Sequence, residues 1–236
     1  MVMEDILEKQ KLAYKVIETY NNKYNVNVPI EIHFVDSIET SWRQYAKRDK
    51  VLRDFENGDY TDMNGICMPF DGEKYHIHIL NSHDEFPTTV LHEYTHAVDY
   101  ERFRVEYNDG RIDIENNMFY KTFYVYSEFH AYSNAHHLYL LTIDENKRYE
   151  VYLQEIDAII EGICELIDQS IAMRDIDFYY KLMRFLGKLN ALQIMGFDIS
   201  KAFDADLNKL FIALSELLTH WTVDNLIRLR KIIWGY

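Results

Sequence analysis

Two histidines and a glutamate at residues 92–96 have the types and the spacing of a metal site with an adjacent base. The segment has the pattern H-E-x-x-H, with His92, Glu93 and His96 at its fixed positions. On an α-helix, residues four apart lie on one face, so the two imidazoles can converge on one ion. Zinc binds neutral imidazole nitrogen, and a catalytic zinc keeps one position open for water. Glu93 could then deprotonate that water, which predicts metal-assisted hydrolysis.

The residues around this motif predict a helix that can position it. Val90, Leu91, Ala97 and Val98 are apolar and supply a face to bury, and Pro87 suits a first helical turn. The alternative interpretation is an ordinary amphipathic helix whose histidines are solvated or are satisfied in the core.

Composition limits the class of protein. The chain has 236 residues, of which 48% are hydrophobic, so it can bury a substantial core as one large domain or two modest ones. Its net charge of −14 argues against a nucleic-acid or anionic-membrane partner. Cys67 and Cys164 are too few for a disulfide framework, and neither a secretory signal nor a long apolar span is visible. We therefore expect a cytoplasmic protein.

The chain before the motif predicts helices and a small sheet. Apolar residues recur at helical spacing in residues 4–22 and again in the basic segment 38–55. Residues 30–35 alternate as a strand does, and residues 66–70 and 75–80 predict two short strands joined by a tight turn.

Three histidines lie on the predicted strands. His33 falls on the face of its strand opposite the apolar residues, and we favour a surface histidine over a ligand role for it. His76 and His78 share one face of their strand and could make a metal site. The interpretation that we favour is that they face solvent.

The chain beyond the motif predicts one hairpin and then helices only. Two short segments flank Asn108-Asp109-Gly110, a sequence typical of a hairpin turn between residues 104 and 114. Helical spacing follows over residues 122–141, 148–169, 175–195, 204–220 and 223–234. The last four segments should form a bundle, and the apolar, basic end at residues 226–234 packs against it or binds a membrane or partner helix.

Two segments carry a family resemblance. Residues 90–100 resemble the metal helix of the gluzincins, the zincin peptidases that take two histidines from H-E-x-x-H and a glutamate from a later helix; thermolysin has a similar run. Residues 127–131, Ser-Glu-Phe-His-Ala, resemble the second segment, after a longer gap than in thermolysin. A looser likeness links both to small metallopeptidases of phages and mobile elements.

The resemblance implies a set of roles. His92, His96 and Glu128 would bind Zn²⁺, and Glu93 would be the general base. In zincin peptidases a sheet edge before the metal helix receives the substrate as an added strand, and residues 75–80 are our candidate for that edge.

Other residues compete for places around the ion. Asp99 lies three residues past His96 and could ligate directly or accept the free ring N–H of a metal-bound histidine, and we favour the second role. His130 faces away from Glu128. His136 and His137 are interpreted as surface or core residues, with contact to substrate as the alternative.

An oxyanion donor is also needed, and zincins commonly use a tyrosine or a histidine for it. Tyr132, one turn beyond Glu128, and Tyr107, on the predicted hairpin, are our candidates among 19 tyrosines.

These inferences give an α+β, zincin-like chain with a small N-terminal mixed sheet, a metal helix and a mainly helical C-terminal half. Residues 1–145 would be the catalytic region, and residues 146–236 a helical bundle packed on it.

The predicted activity is zinc-dependent hydrolysis of peptide or protein substrates. The alternative is a non-enzymatic regulatory or interaction protein with a zinc-stabilised, peptidase-like fold, which would bind a protein partner through its helical part. A helical protein without metal is the third possibility.

Overall fold

A computed structural model describes residues 2–46, 63–169 and 175–235. The fold is α+β, and helices dominate the described residues. The chain divides into two compact units, Met1–Arg104 and Val105–Tyr236. The division falls inside a helix, and the boundary that we expected at residues 145 and 146 lies within the second unit. Among the described helices, none combines the length and the apolar character that a membrane crossing requires.

The first unit contains a three-stranded sheet and the helices around it. Its elements are α1 (Val2–Tyr24), β1 (Ile30–Val35), α2 (Ile38–Ala46), β2 (Gly65–Cys67), β3 (Tyr75–Leu80) and most of α3 (Phe86–Tyr107). The predictions of the first helix, of the strand at residues 30–35 and of the two later strands are confirmed. The predicted helix at residues 38–55 is confirmed as far as Ala46, and the remainder lies outside the described residues.

β3 is the central strand of this sheet. The strand order is β1-β3-β2, with β1 parallel and β2 antiparallel to β3. The prediction that residues 75–80 form the sheet edge is therefore wrong. The physical reason is that β1 and β2 hydrogen-bond to the two sides of β3, so neither side is open to an added strand. Both faces of β3 are also buried, with Tyr75, Ile77 and Ile79 on one face and His76 and His78 on the other. The expectation that His76 and His78 face solvent is therefore wrong.

The helix that carries the H-E-x-x-H motif is anchored within this unit at two points. Near its centre, Tyr94 donates its hydroxyl proton to Asn21 Oδ1 of α1 at 2.6 Å, and the Val28 N–H donates to the same hydroxyl oxygen at 3.4 Å. Two turns later, Glu101 accepts a hydrogen bond from the Tyr75 hydroxyl of β3 at 3.1 Å. α3 is thereby fixed against both the first helix and the central strand.

The predicted hairpin at residues 104–114 is wrong, because α3 continues to Tyr107. The turn residues do adopt the left-handed conformation, with φ of 52° at Asp109 and 74° at Gly110. Left-handed residues also end helices, and here they follow a helix whose last buried residue is Phe103. The chain then enters a short 3₁₀ helix, Ile114–Asn116.

The second unit is helical. Its main helices are α4 (Tyr120–Thr142), α5 (Arg148–Gln169), α6 (Ile176–Ile194), α7 (Ala205–Thr219) and α8 (Val223–Trp234), with short 3₁₀ helices at Glu145–Lys147 and Ser200–Ala202. All five long helices confirm the prediction to within a few residues. Side chains of Asp175, Asp204 and Thr222 cap α6, α7 and α8 by accepting hydrogen bonds from backbone N–H groups of the first turn.

Close packing of α6 fixes α4 and α5. A Cβ atom at Gly187 of α6 would lie 2.7 Å from the Phe129 carbonyl oxygen of α4, so only glycine permits this approach. The buried Asn190 amide donates to Ser133 Oγ across the same contact at 2.7 Å. At Gly162 of α5 a Cβ would lie 2.6 Å from the Phe185 ring. Close helix contact therefore explains this mid-helix glycine.

The apolar C-terminal helix packs on the bundle. Leu226, Leu229 and Ile233 of α8 are buried, and the Trp234 indole N–H donates to Thr122 Oγ1 of α4 at 3.1 Å. The packing interpretation of residues 226–234 is confirmed.

Candidate metal centre

The two histidines of the motif lie on one face of α3 and converge. Their Nε2 atoms are 3.2 Å apart, and the ring planes of His92 and His96 are inclined at 83°. Two nitrogens at about 2.0–2.1 Å from one ion, at a tetrahedral angle, lie roughly 3.3–3.4 Å apart. The pair therefore has the separation of two ligands of a single ion. His96 is buried and stacks on the Tyr100 ring with centroids 5.7 Å apart, and His92 is half-buried.

Glu128 completes a group of three candidate ligands. One donor atom from each of His92, His96 and Glu128 lies within 4.8 Å of the other two. Glu128 belongs to α4 and is buried. Two imidazole nitrogens and one carboxylate oxygen are donors that zinc accepts in hydrolytic sites. The residues that sequence reasoning selected as ligands are thus brought together.

Glu93 is buried next to this group, on the side of α3 that contacts β2. Its carboxylate accepts a hydrogen bond from the backbone N–H of Cys67, the last residue of β2. Burial raises the pKa of Glu93 to about 8, and the Cys67 N–H opposes that rise only in part. Burial, and next the charge of Glu93, also raise the pKa of the Cys67 thiol, so this cysteine stays protonated.

A glycine allows α3 to approach β2 closely enough for this contact. A Cβ at Gly65 would lie 2.5 Å from Thr89 Cγ2 and 3.1 Å from Glu93 Cγ. The first of these separations is shorter than real Cβ contacts allow. Gly65 therefore sets the distance between the strand and the helix that carries the base.

One edge of β2 is directed away from β3. The Met68 N–H donates to the His76 carbonyl and the Leu80 N–H donates to the Asn64 carbonyl, both at 2.8 Å. In an antiparallel pair, backbone groups of alternate residues point to opposite sides. The N–H and C=O groups of Gly65 and Cys67 therefore lie on the outer edge of the strand, the side from which Glu93 is contacted.

Asp99 is buried on α3, three residues past His96. This placement is compatible with both roles considered for it, direct ligation or support of a ligand histidine. The preferred supporting role stays a prediction.

The two tyrosines proposed as oxyanion donors lie in helices. Tyr132 is half-buried in α4, one turn beyond Glu128. Tyr107 is the last residue of α3, about 16 Å along the helix axis from His96, and its ring packs on Trp221 with centroids 5.7 Å apart.

The remaining histidines of α4 have other contacts. The buried His136 Nε2 lies at hydrogen-bond distance, 2.8 Å, from Glu155 Oε2 of α5. The His130 ring packs on Tyr126, with centroids 5.8 Å apart.

Sequence reasoning missed two groups that position the site. Tyr124 lies one turn before Glu128, hydrogen-bonds to its carboxylate and stacks on Tyr180 of α6. Burial, and next the charge of Glu128, raise the pKa of Tyr124 well above 10, so its hydroxyl acts as a donor. The i, i+4 spacing could have identified this tyrosine. No sequence signal predicts the second group, the Cys67 N–H that binds Glu93.

Comparisons of this chain with protein-family models, with curated proteins and with solved structures find no match. The site is therefore interpreted from its own geometry.

Proposed function

We propose that this chain is a zinc-dependent metallopeptidase of the gluzincin type. His92, His96 and Glu128 hold the ion, and Glu93 is the general base. One observation carries the proposal: three ligand residues, selected from two distant segments, offer donor atoms within 4.8 Å of one another. A buried carboxyl lies at the residue next to the first of them.

The donor set suits the chemistry. Bound there, zinc would polarise a peptide carbonyl and lower the pKa of a water molecule toward neutrality. Three protein ligands would leave a fourth position on a tetrahedral zinc for water or substrate. A closed structural site would instead use four protein ligands, typically with cysteine.

Glu93 has the environment of a proton carrier. In the metal-free chain burial raises the pKa of this carboxyl to about 8, and a bound zinc ion would lower it toward the working pH, where a general base works best. The Cys67 N–H holds one side of the carboxylate, which fixes its orientation. Glu93 takes the proton of the attacking water and passes it to the leaving amine, so the reaction needs no covalent intermediate.

The proposed substrate is a peptide bound in an extended conformation. Among the described residues, the outer edge of β2 carries the N–H and C=O of Gly65 and the C=O of Cys67, which would pair with an added strand. Such a strand would lie beside Glu93, because the Cys67 N–H already contacts that carboxylate. β2 thus replaces residues 75–80 as the proposed substrate-binding edge.

The test uses binding of a hydroxamate, since a hydroxamate chelates a zinc ion that has an open position and requires no knowledge of the natural substrate. In a calorimetric titration, zinc-loaded wild type should bind one more acetohydroxamate per chain than zinc-loaded Glu128→Gln does. Glu93→Gln should retain zinc but should no longer cleave the peptides of a mixed library, as monitored by mass spectrometry. Glu85→Gln, at an exposed position before the same helix, should cleave them as wild type does.

Two results would contradict the proposal. Zinc-loaded protein that binds no hydroxamate would indicate a closed structural site, as in a zinc-stabilised interaction protein. Cleavage that survives in purified Glu93→Gln would remove Glu93 from the mechanism.

A further inference from the structure

A second group of metal-binding side chains lies on the first unit's sheet, on the face that carries His33, His76 and His78. Glu31 and His33 of β1 and His76 of β3 each offer a donor atom within 4.8 Å of the other two. The parallel register pairs Glu31 with His76 and His33 with His78, so all four side chains project from the same face. We call Glu31, His33 and His76 the strand cluster.

The two histidines of the strand cluster have the separation of ligands to one ion. His33 Nε2 lies 3.1 Å from His76 Nδ1, close to the roughly 3.3–3.4 Å expected for two nitrogens on a tetrahedral zinc. One oxygen of Glu31 lies 4.0 Å from His33 Nε2, and the other lies 4.0 Å from His76 Nδ1. A small rotation of the carboxylate would bring it to the same ion.

A carboxylate outside the cluster fixes which nitrogen of His76 is available. Asp71 Oδ2 lies 2.9 Å from His76 Nε2, and a carboxylate accepts hydrogen bonds, so Nε2 carries the proton. His76 Nδ1 therefore presents its lone pair toward His33 and Glu31. Asp71 is itself held in place, because its Oδ1 accepts hydrogen bonds from the backbone N–H groups of Glu73 and Lys74 at 2.8 and 2.9 Å. An aspartate that orients a histidine in this way is typical of metal centres.

Other neighbours restrain the cluster without blocking it. His78 is buried behind His33, with ring centroids 4.7 Å apart, and hydrogen-bonds to Ser41 Oγ of α2. Lys74 Nζ pairs with Glu31 at 2.6 Å, but the Glu31 side chain is 43% exposed. An exposed ion pair of this kind contributes little to stability, so a bound ion could displace Lys74 at small cost.

We propose that Glu31, His33 and His76 form a second zinc site, which joins β1 to β3 across 43 positions of sequence. Two imidazole nitrogens favour zinc and neighbouring transition metals over magnesium or calcium, which prefer oxygen ligands. The site uses residues separate from those of the proposed peptidase centre, and it does not depend on that function. A bound ion would stabilise the sheet, since a ligand that binds only the folded state raises the free energy of unfolding.

The first test counts zinc ions bound per chain, by competition with a chromophoric chelator. Wild type should bind two zinc ions, and Glu31→Gln, at a half-exposed position that should tolerate the change, should bind one. Glu128→Gln should also bind one, because it disables only the other site. His220→Gln, at an exposed histidine outside both groups, should still bind two. Circular dichroism verifies that each variant is folded.

The second test examines the role of Asp71. Asp71→Asn retains an oxygen for the two backbone N–H groups, so it turns an amide NH₂ toward His76 Nε2 and favours the opposite ring tautomer. The variant should bind zinc at the strand cluster about 10–100-fold more weakly than wild type. Long-range ¹H–¹⁵N spectra should show the proton of His76 moving from Nε2 to Nδ1 in the metal-free variant.

Two results would overturn the proposal. Equal numbers of zinc ions bound by wild type and Glu31→Gln would show that the cluster is only a hydrogen-bond network. Ring nitrogen signals of His33 and His76 that do not change when zinc is added would exclude these residues as ligands. Failure of the peptidase proposal is distinguishable, because it would appear in Glu128→Gln and leave the Glu31→Gln result intact.

Discussion

Replacing Glu93 by glutamine should make the metal-free protein more stable, and the gain should grow with pH. In the folded chain burial raises the pKa of this carboxyl from 4.5 to about 8. Below pH 4.5 the group is neutral in both the folded and the unfolded chain, so its contribution to stability is fully present. As the pH rises toward 8, the unfolded chain loses the proton first and the folded state loses stability. Glutamine cannot ionise, and its side-chain oxygen can still accept the Cys67 N–H.

The size of the effect follows from the shift. One pKa unit corresponds to about 1.4 kcal/mol, so the difference in unfolding free energy between Glu93→Gln and wild type should rise by about 1.4 kcal/mol per pH unit from pH 5 to 8. The full shift corresponds to at most about 5 kcal/mol.

The assay is urea unfolding of both proteins at pH 5, 6, 7 and 8 with EDTA present, since a bound cation would add its own charge to the site. Glu85→Gln, at an exposed position, controls for the loss of one negative charge and should show no such trend. A stability difference for Glu93→Gln that stays constant across this pH range would refute the burial of Glu93 described here.

Three further predictions concern packing and ligand support. Gly65→Ala should destabilise the protein by about 1–3 kcal/mol in urea unfolding, because the added Cβ would meet Thr89 Cγ2. Thr89→Ser removes that methyl group and should restore most of the lost stability. Equal losses with and without Thr89→Ser would contradict this contact. Gly187→Ala should cost at least as much in thermal unfolding, because the added atom meets the backbone of α4, and an unchanged melting temperature would contradict the α4–α6 packing. Tyr124→Phe should weaken zinc binding at the proposed peptidase centre about 10–100-fold in a chelator competition, because Glu128 loses a hydrogen bond. Unaltered affinity would show that Tyr124 does not support the ligand.

The helices could be predicted from the sequence, because their signals are local. Apolar residues at helical spacing predicted α1, α4 and the four C-terminal helices, and the spacing of His92 and His96 predicted that their rings converge. Glu128 was selected by resemblance alone. Its position relative to the two histidines depends on tertiary packing, which no periodicity encodes.

The errors arose where local signals have two interpretations. Asn108-Asp109-Gly110 supplies left-handed residues, which end a helix as readily as they turn a hairpin. The alternating histidines of β3 indicated a strand with one solvent-exposed face, but side chains of the neighbouring strands and of α2 bury His76 and His78. Polar side chains can be buried when they hydrogen-bond to one another across strands, so a buried face of a strand need not show an apolar sequence pattern.

The most direct test of the peptidase proposal is the zinc content of two purified proteins that both carry Glu31→Gln, which removes the strand cluster. The proposal predicts one zinc ion per chain when Glu128 is present and almost none in the Glu31→Gln, Glu128→Gln double variant. Equal zinc in the two proteins would contradict the ligand set of His92, His96 and Glu128, and with it the proposed activity.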